Sequence, residues 1–537
     1  MIDGAKLLKR LEQLRARRSV VEEEWRQCFN YTYPLRGAAF ESLGSPSPDP
    51  TQQHVSSGTT KQDELLDSTG TDSVRILASA LMSGLTPANS RWFGLDAGNE
   101  TDEEKRWLDE SAQMLWENIH ASNYDAVGFE CMLDMAAAGM FPMFVEEAEG
   151  GGFRFESWSL ANTYFAASMP GGPVDTVFNE FPLSAEQAVH DYGEEMLSEQ
   201  VRKQASEKPD EVVQFVRCVY PRSGTPGRFS KNLPFASTHI ECQTKKVVRE
   251  SGYHELPVGV PRWSPVPGSV YAFGPVKEAL PDLKTLNEVV KYDLANMDLA
   301  VAGMWGAVDD GVLNARSIKI GPRKVIVMAE KENFWPLTPG GDFKAALLEI
   351  DRLQRSIRKV LMADQLEPQK KAGEPPTATE IVVRVEMIRQ LLGPVYGRMQ
   401  SEFLQWLVTR CFGIAYRAGV FSPPPRSLMT RVLSVRYVSP IARAQKAVDV
   451  AAMDRFEASL AQEAAILGES VLDNYDWDEA ARMRAELLGV PAKLIPDKDD
   501  IETLREKRGQ QAQAMQIASM AAQAAGAPAG VAAALPA

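Results

Sequence analysis

A mixed α+β fold dominated by helix is what this sequence predicts, and three observations predict it. Apolar residues recur at spacings of three and four through several long stretches, which keeps one face of a helix buried. Between Pro142 and Trp263 the texture changes to short runs rich in Phe, Val, Ile and Tyr, separated by Gly and Pro, as half-buried strands require. Strands and helices do not alternate as β-α-β units, so this is not a parallel nucleotide-binding sheet. At 537 residues the chain exceeds one ordinary core. Roughly two to four domains, or one elongated subunit of several parts, are expected.

The elements follow in order. Residues 5–33 predict a helix with Leu7, Leu11, Leu14, Trp25 and Phe29 on its apolar stripe. Around it, Lys6, Lys9, Arg10, Arg15, Arg17 and Arg18 read as a solvated face rather than a nucleic-acid contact, because Glu22, Glu23 and Glu24 follow at once. Residues 36–62, rich in Ser, Pro, Gly and Thr, predict a long loop. Helical patterning resumes at Ser68 and runs through "DSVRILASALMSGL" before "TPANSRWFGL" turns the chain. A helix pair over 101–120 and 123–139 carries Trp107, Leu108, Leu115 and Ile119 on its apolar side. In the β block, "GGFRFESW", "EVVQFVRCVY" and "FASTHIECQTKKVVRESGY" predict strands, with a helical insert at "SAEQAVHDYGEEML".

A second helical part begins at 276. Val276, Leu280, Leu283, Leu286, Val290, Leu294, Met297 and Val301 form a stripe over 276–302, with Glu278, Asp282, Glu288, Asp293 and Asp298 mostly off it. Such a helix spans about 40 Å. Residues 303–342 contain strand-like "SIKI", "KVIVM" and "NFWPL", and the helix 343–362 then presents Leu347, Ile350, Leu353, Ile357 and Val360 inward. Helix, small β module, helix predicts a hairpin of helices with the module at its tip. The polar loop 363–376, "ADQLEPQKKAGEPP", leads into a long helix over 377–418. Thr377 and Glu380 fit a capping box, and the apolar stripe Ile381, Val385, Ile388, Leu392, Val395, Met399, Phe403 and Trp406 continues through Gly393 and Pro394. Pro394 cannot donate an amide bond to Gln390, and its ring crowds that carbonyl, so a kink is predicted there. Residues 440–508 read as helical and charged; 509–537, uncharged and rich in Ala and Gln, predict either a marginal helix or a disordered tail.

Composition narrows function. The 58 basic and 72 acidic residues give a net charge of −14, which argues against coating nucleic acid through a basic surface. Five scattered cysteines, Cys28, Cys131, Cys218, Cys242 and Cys411, show no paired spacing and suit a reducing compartment. No apolar run approaches the roughly 18 residues of a membrane-spanning helix, and "MIDGAKLLKRLEQL" is amphipathic rather than signal-like, so an intracellular origin is expected. G-x-x-x-x-G-K-[S/T], G-x-S-x-G and H-E-x-x-H are all missing. His54, His120, His190, His239 and His254 never approach metal-ligand spacing, so no metal or cofactor is expected. The carboxylates Glu146, Glu147 and Glu149, or Asp309 and Asp310, read as solvated clusters rather than an acid-base site, and no enzymatic activity is expected.

Taken in order, "LTPANSRWFGL" near 90, "SGYHELPVGVPRW" at 251–263, "GSVYAFGPVKEALPDLKTLNEVV" at 268–290 and "PPTATEIVVRVE" at 375–386 resemble the head-to-tail connecting, or portal, proteins of short-tailed, T7-like bacteriophages. That resemblance covers about 5–490 and implies a closed ring of roughly twelve copies. Double-stranded DNA would pass through its centre, at one vertex of the virion capsid, after assembly in the host cytoplasm. It implies a wing over 1–275, a first stem helix over 276–302, a clip over 303–342 and a second stem helix over 343–362. A tunnel loop would follow over 363–376, then the kinked wing-to-crown helix over 377–418 and a crown over 419–508. The implied partners are the terminase large subunit, scaffolding and major capsid proteins, and tail adaptor proteins, with no membrane. Lys370 and Lys371 are the candidate DNA contacts of the tunnel loop, and Lys284 and Lys291 candidate channel-lining residues. An acidic subunit suits passage, because many Lys or Arg contacts to phosphate would hold the duplex. Two other readings exist. A tail-adaptor ring of the same virion is disfavoured by length and by the stem, clip, stem order. A DNA-packaging ATPase would need a phosphate-binding loop that the sequence lacks.

Overall fold

The structure, a computed structural model, describes residues 4–40, 60–98, 101–222, 233–302, 304–307, 334–337, 343–366, 393, 395–428, 434–437, 450, 452–463, 475–488 and 498–524. It is a mixed α+β fold. The chain forms two compact units, Met1–Arg91 with Leu115–Val420 and Trp92–Met114 with Phe421–Ala537.

The first unit opens with α1 (Gly4–Asn30), whose Leu7, Leu11, Leu14, Trp25 and Phe29 are all buried. The predicted loop after it is partly helical: Pro34–Gly37 and Ala38–Phe40 are single turns, and the chain is helical again at 60–64. Next come α2 (Thr69–Leu85), α3 (Asp102–Ala121) and α4 (Tyr124–Ala138), close to their predicted bounds. Of these, α3 starts in the second unit and ends in the first. Between α2 and α3 lies β1 (Phe93–Asp96), a strand where "TPANSRWFGL" predicted only a turn. Helix α4 stops at Gly139, whose left-handed φ of 88° lets its amide reach back to the Asp134 and Met135 carbonyls.

Two antiparallel sheets follow. β2 (Met143–Glu147) sits between β3 (Phe153–Ser157) and β9 (Val258–Gly259). The larger sheet has the order β4 (Thr163–Ala166), β5 (Thr176–Ser184), β6 (Val212–Pro221), β7 (Phe235–Glu241), β8 (Val247–Tyr253). Strand β5 lacks a clean apolar run because Asn179, Glu180 and Pro182 interrupt it. Pro182 is tolerated because β4 pairs only with 176–179, so beyond that point β5 is an edge on that side. One face of the sheet packs Phe178, Val216, Cys218 and Ile240 against Leu7, Leu11 and Leu14 of α1. On the other face, α5 (Ala185–Tyr192) and α6 (Glu199–Glu207) bring Ala188 and Val201 onto Val213 and Phe215. The capping box predicted for no element here starts α5: Ser184 and Gln187 satisfy each other's amides. A third core joins Trp25 and Phe29 to Phe144, Trp158, Phe165 and Tyr271.

One residue of the basic set on α1 departs from expectation. Lys6, Lys9, Arg10, Arg15 and Arg17 are exposed, but Arg18 is completely buried. Its guanidinium donates to the Leu160 and Thr163 carbonyls at 2.8 and 3.0 Å, pairs with Glu22 at 2.9 Å and lies 4.0 Å from the Tyr164 ring. The helical pitch that puts Leu7, Leu11 and Leu14 on the sheet carries position 18 there too.

A short ribbon of β10 (Ser264–Pro265) and β11 (Ala272–Phe273) leads to α7 (Pro275–Ala302). Strand β12 (Met304–Ala307) pairs antiparallel with β13 (Phe334–Leu337), which precedes α8 (Phe343–Val360). "SIKI" and "KVIVM" lie outside the described residues. The first unit closes with helix at 395–417, whose last part is α9 (Gln405–Arg417). In the second unit, β1 pairs antiparallel with β14 (Ser434–Tyr437), and Trp107 donates its indole N–H to the Ser422 carbonyl at 2.9 Å. It also holds α10 (Trp477–Leu488) and α11 (Lys498–Ala524). For the 509–537 tail, the helical alternative holds through 524.

Candidate functional site

Helices α7 and α8 pack as an antiparallel hairpin. At one end β12 and β13 join their tips through the register Met304↔Leu337 to Ala307↔Phe334. Near the other end the Ser356 hydroxyl donates to Asp282 Oδ2 at 2.7 Å. Here Val276, Leu280, Leu283 and Leu286 of α7 are buried, as are Leu353 and Ile357 of α8. Asn287 ties this half to the chain before α2: its carbonyl accepts the Leu66 amide at 2.8 Å and its amide donates to the Glu64 carbonyl. Gln354 donates to Asp67 at 2.8 Å.

Toward the β12–β13 end the stripes lose their cover. Leu294 and Met297 of α7 are 46% and 48% exposed, and Tyr292 65%. On α8, Leu347 and Leu348 are 59% and 71% exposed. The inward packing predicted for Leu294, Met297 and Leu347 therefore does not occur within one chain. The apolar spacing is right, but these side chains stand open in the single chain.

Lys284 of α7 is half-buried, and its amine donates to Gln27 Oε1 of α1 at 2.6 Å. Two turns earlier, Lys277 pairs with Glu24. Lys291 is exposed, 4.0 Å from Glu288 of its own helix. The structure thus separates the two α7 lysines, one held against α1 and one in solvent. Lys370 and Lys371, with Thr377, Glu380 and Pro394, lie outside the described residues, as do Asp309 and Asp310.

The helix 395–417 is clamped along one extended segment, 254–263. Glu255 receives Arg410 at 3.0 Å and Arg417 at 2.6 and 2.8 Å. The Trp406 indole donates to the Leu256 carbonyl at 2.7 Å, Arg262 forks onto Glu402 at 2.7 and 3.1 Å, and Arg398 donates to the Trp263 carbonyl. Contacts recur turn after turn, so the segment runs antiparallel to the helix. Two glycines allow the approach: a Cβ on Gly259 would overlap the Trp406 ring, and one on Gly413 would overlap the Glu255 carboxylate. Glu402 lies in a π-helical turn, Gln400–Leu404, the irregularity seen in the described part of this helix. Burial lowers the Arg410 pKa; at Glu255 burial is outweighed by Arg417 and Arg410, which hold it below its usual value. None of these contacts was legible in sequence, although the stretch "HELPVGVPRW" marks where they fall.

A family model described as "Bacteriophage head to tail connecting protein" matches residues 4–495. The chain belongs to that family. Among relatives of this connecting protein is the "Probable portal protein" of Bordetella phage BPP-1, 27% identical over 542 residues, covering 96% of this chain and 92% of that one. Another is the "Portal protein" of Salmonella phage epsilon15, 27% identical over 530 residues, covering 96% and 93%. A solved structure titled "Neck of empty GTA particle computed with C6 symmetry" aligns with a TM-score of 0.35 at 12% identity, over 72% of this chain and 86% of that one. The stretches that carried the resemblance have distinct places in the connecting protein. "LTPANSRWFGL" runs into β1, "SGYHELPVGVPRW" enters the clamp on α9, and "GSVYAFGPVKEALPDLKTLNEVV" leads into the buried half of α7. No helix among the described residues is long and apolar enough to cross a membrane.

Proposed function

We propose that this connecting protein is a phage portal subunit, one of roughly twelve copies in a closed ring through which double-stranded DNA is packaged and later ejected. The observation that carries the reading is coverage: the family match spans 4–495, and both portal relatives align over 96% of the chain. The hairpin supports it, because a helix pair that buries its stripe at one end and exposes it at the other suits packing against neighbouring copies. In this reading α7 and α8 are the stem and 303–342 the clip, where the terminase large subunit docks during packaging and tail adaptors afterwards. The other assigned parts are a wing over 1–275, a tunnel loop over 363–376, a wing-to-crown helix over 377–418 and a crown over 419–508. Scaffolding and major capsid proteins surround the ring at one capsid vertex, and the role is structural rather than enzymatic.

Of the proposed channel residues, Lys370 and Lys371 make transient phosphate contacts and Lys291, exposed on α7, is better placed for them than Lys284, which is engaged by Gln27. Electron microscopy of the purified chain, viewed down the particle axis, tests the reading. A closed ring with a hole wide enough for a duplex is expected; monomers at every salt and protein concentration would count against it.

A further inference from the structure

One row of side chains crosses four strands of the larger sheet. Asn179 of β5 stands opposite Arg217 of β6, Arg217 opposite His239 of β7, and His239 opposite Arg249 of β8. At a strand spacing of about 4.8 Å, the two arginine backbones are about 10 Å apart with the histidine between them. His239 is buried and its Nδ1 lies 2.8 Å from the Tyr192 hydroxyl. Burial, then Arg217 and Arg249, push its pKa down to about 2, so the imidazole is neutral and supplies no charge.

Among the described residues neither arginine side chain makes a direct hydrogen bond or ion pair, and Arg217 Nε is enclosed with nothing to donate to, although the Glu146 carboxylate feels the charge of both. The Arg217 guanidinium is held in place by rings, 4.8 Å from Phe144, 5.3 Å from Trp158 and 5.5 Å from Phe181. The facing wall comes from α9, where Arg410 and Arg417 share the single carboxylate of Glu255. Arg217, His239, Arg249, Arg410 and Arg417 line a cleft of about 570 Å³, with Ser251, Tyr253, Glu146 and Glu147 also in its lining. Glu146 lies 3.7 Å from Arg154, and the charge of Arg217 acts on it more strongly than that of Arg154. Four guanidiniums against three carboxylates leave the cleft positive on a chain whose net charge is −14.

We propose that this cleft binds a small tetrahedral oxyanion of the phosphate class, held between Arg217 and Arg249. A guanidinium with a free edge offers the paired N–H donors that phosphate oxygens accept, and the rings packed against Arg217 orient it without satisfying its N–H groups. Glu146 and Glu147 would repel a continuous phosphate backbone while leaving room for one anion, which separates this site from the DNA contacts of the channel. The inference does not depend on ring assembly.

Isothermal titration of the full chain with inorganic phosphate, at ionic strength matched with chloride, tests it. Saturable binding is expected, weakened about tenfold or more by Arg249→Gln and by Arg217→Gln and left unchanged by Arg75→Gln, which removes an exposed arginine on α2. Arg249 is exposed, so its variant remains informative if Arg217→Gln fails to fold. Absence of saturable binding, or binding that survives Arg249→Gln, would overturn the proposal. So would a short DNA duplex that binds in an Arg249-dependent way when phosphate does not.

Discussion

Arg18 is enclosed completely, yet both edges of its guanidinium are satisfied, by two main-chain carbonyls and by Glu22. Replacing it with alanine strands those carbonyls and removes the partner of Glu22. Arg18→Ala should cost roughly 3–5 kcal/mol in denaturant unfolding, and Arg18→Lys should recover only part, because an ammonium cannot span both edges. A change of less than about 1 kcal/mol would show that the site collapses or hydrates without penalty. Asp134 presents the opposite balance. Burial raises its pKa to about 6 from an ordinary 3.8, although Arg36 lies 2.7 Å away; the carboxylate loses more water than the guanidinium repays, and Glu130 adds repulsion. The folded chain therefore holds this proton more tightly than the unfolded one. Stability from Asp134 is full below the ordinary value and is lost as pH rises through about 6. Between pH 4 and pH 7, Asp134→Asn should gain on the wild type by on the order of 3 kcal/mol. Parallel stability curves for the two proteins across that window would refute this.

Among the elements, the helix ending in α9 owes its position to Glu255 more than to any other side chain, since that carboxylate holds Arg410 and Arg417 at once. Its pKa is lowered in the folded state despite burial, so its contribution is present above the ordinary carboxylate range and is lost as pH falls through the lowered value. Glu255→Gln leaves the buried Arg410 short of a counter-charge and should cost roughly 3 kcal/mol at neutral pH. The penalty should shrink in acid; a penalty independent of pH would mean the residue acts by shape alone. Periodicity was enough to read α1, α3, α7 and α8, where a stripe of three and four spacing outweighs local exceptions, while α4 is buried at every position from Cys131 to Ala138 and shows no such stripe. It was not enough for β5, broken by Asn179 and Pro182, or for β1, whose partner β14 lies far along the chain. The Arg217, His239, Arg249 row needed the register of three strands, which a single sequence does not contain. Arg18 needed the direction of its neighbours on the sheet, since its composition matched the exposed basic residues beside it.

For the whole molecule, the hairpin poses the question of what covers Tyr292, Leu294, Met297, Leu347 and Leu348. Leu294, Met297 and Leu347 stand at positions that helical spacing marks as inward, Tyr292 and Leu348 flank them, and all five stand open in the single chain. Scattered exposed apolar residues need no explanation, but these cluster on the same half of one helix pair. If that face is closed by neighbouring copies, a charge placed there should spare the monomer and prevent the ring. Leu294→Asp and Leu347→Asp are therefore expected to change unfolding free energy by no more than about 0.5 kcal/mol, as for surface positions. Assembly should be lost in native mass spectrometry under conditions where the wild type forms rings, because each interface would enclose an unpaired carboxylate and a closed ring repeats that cost at every contact. A control at Lys291, exposed on the same helix, separates interface from channel: Lys291→Gln should leave ring formation intact while weakening the salt-dependent association with duplex DNA. Rings that form normally with aspartate at both leucine positions would place the subunit contacts elsewhere and leave the open stripe for a different partner.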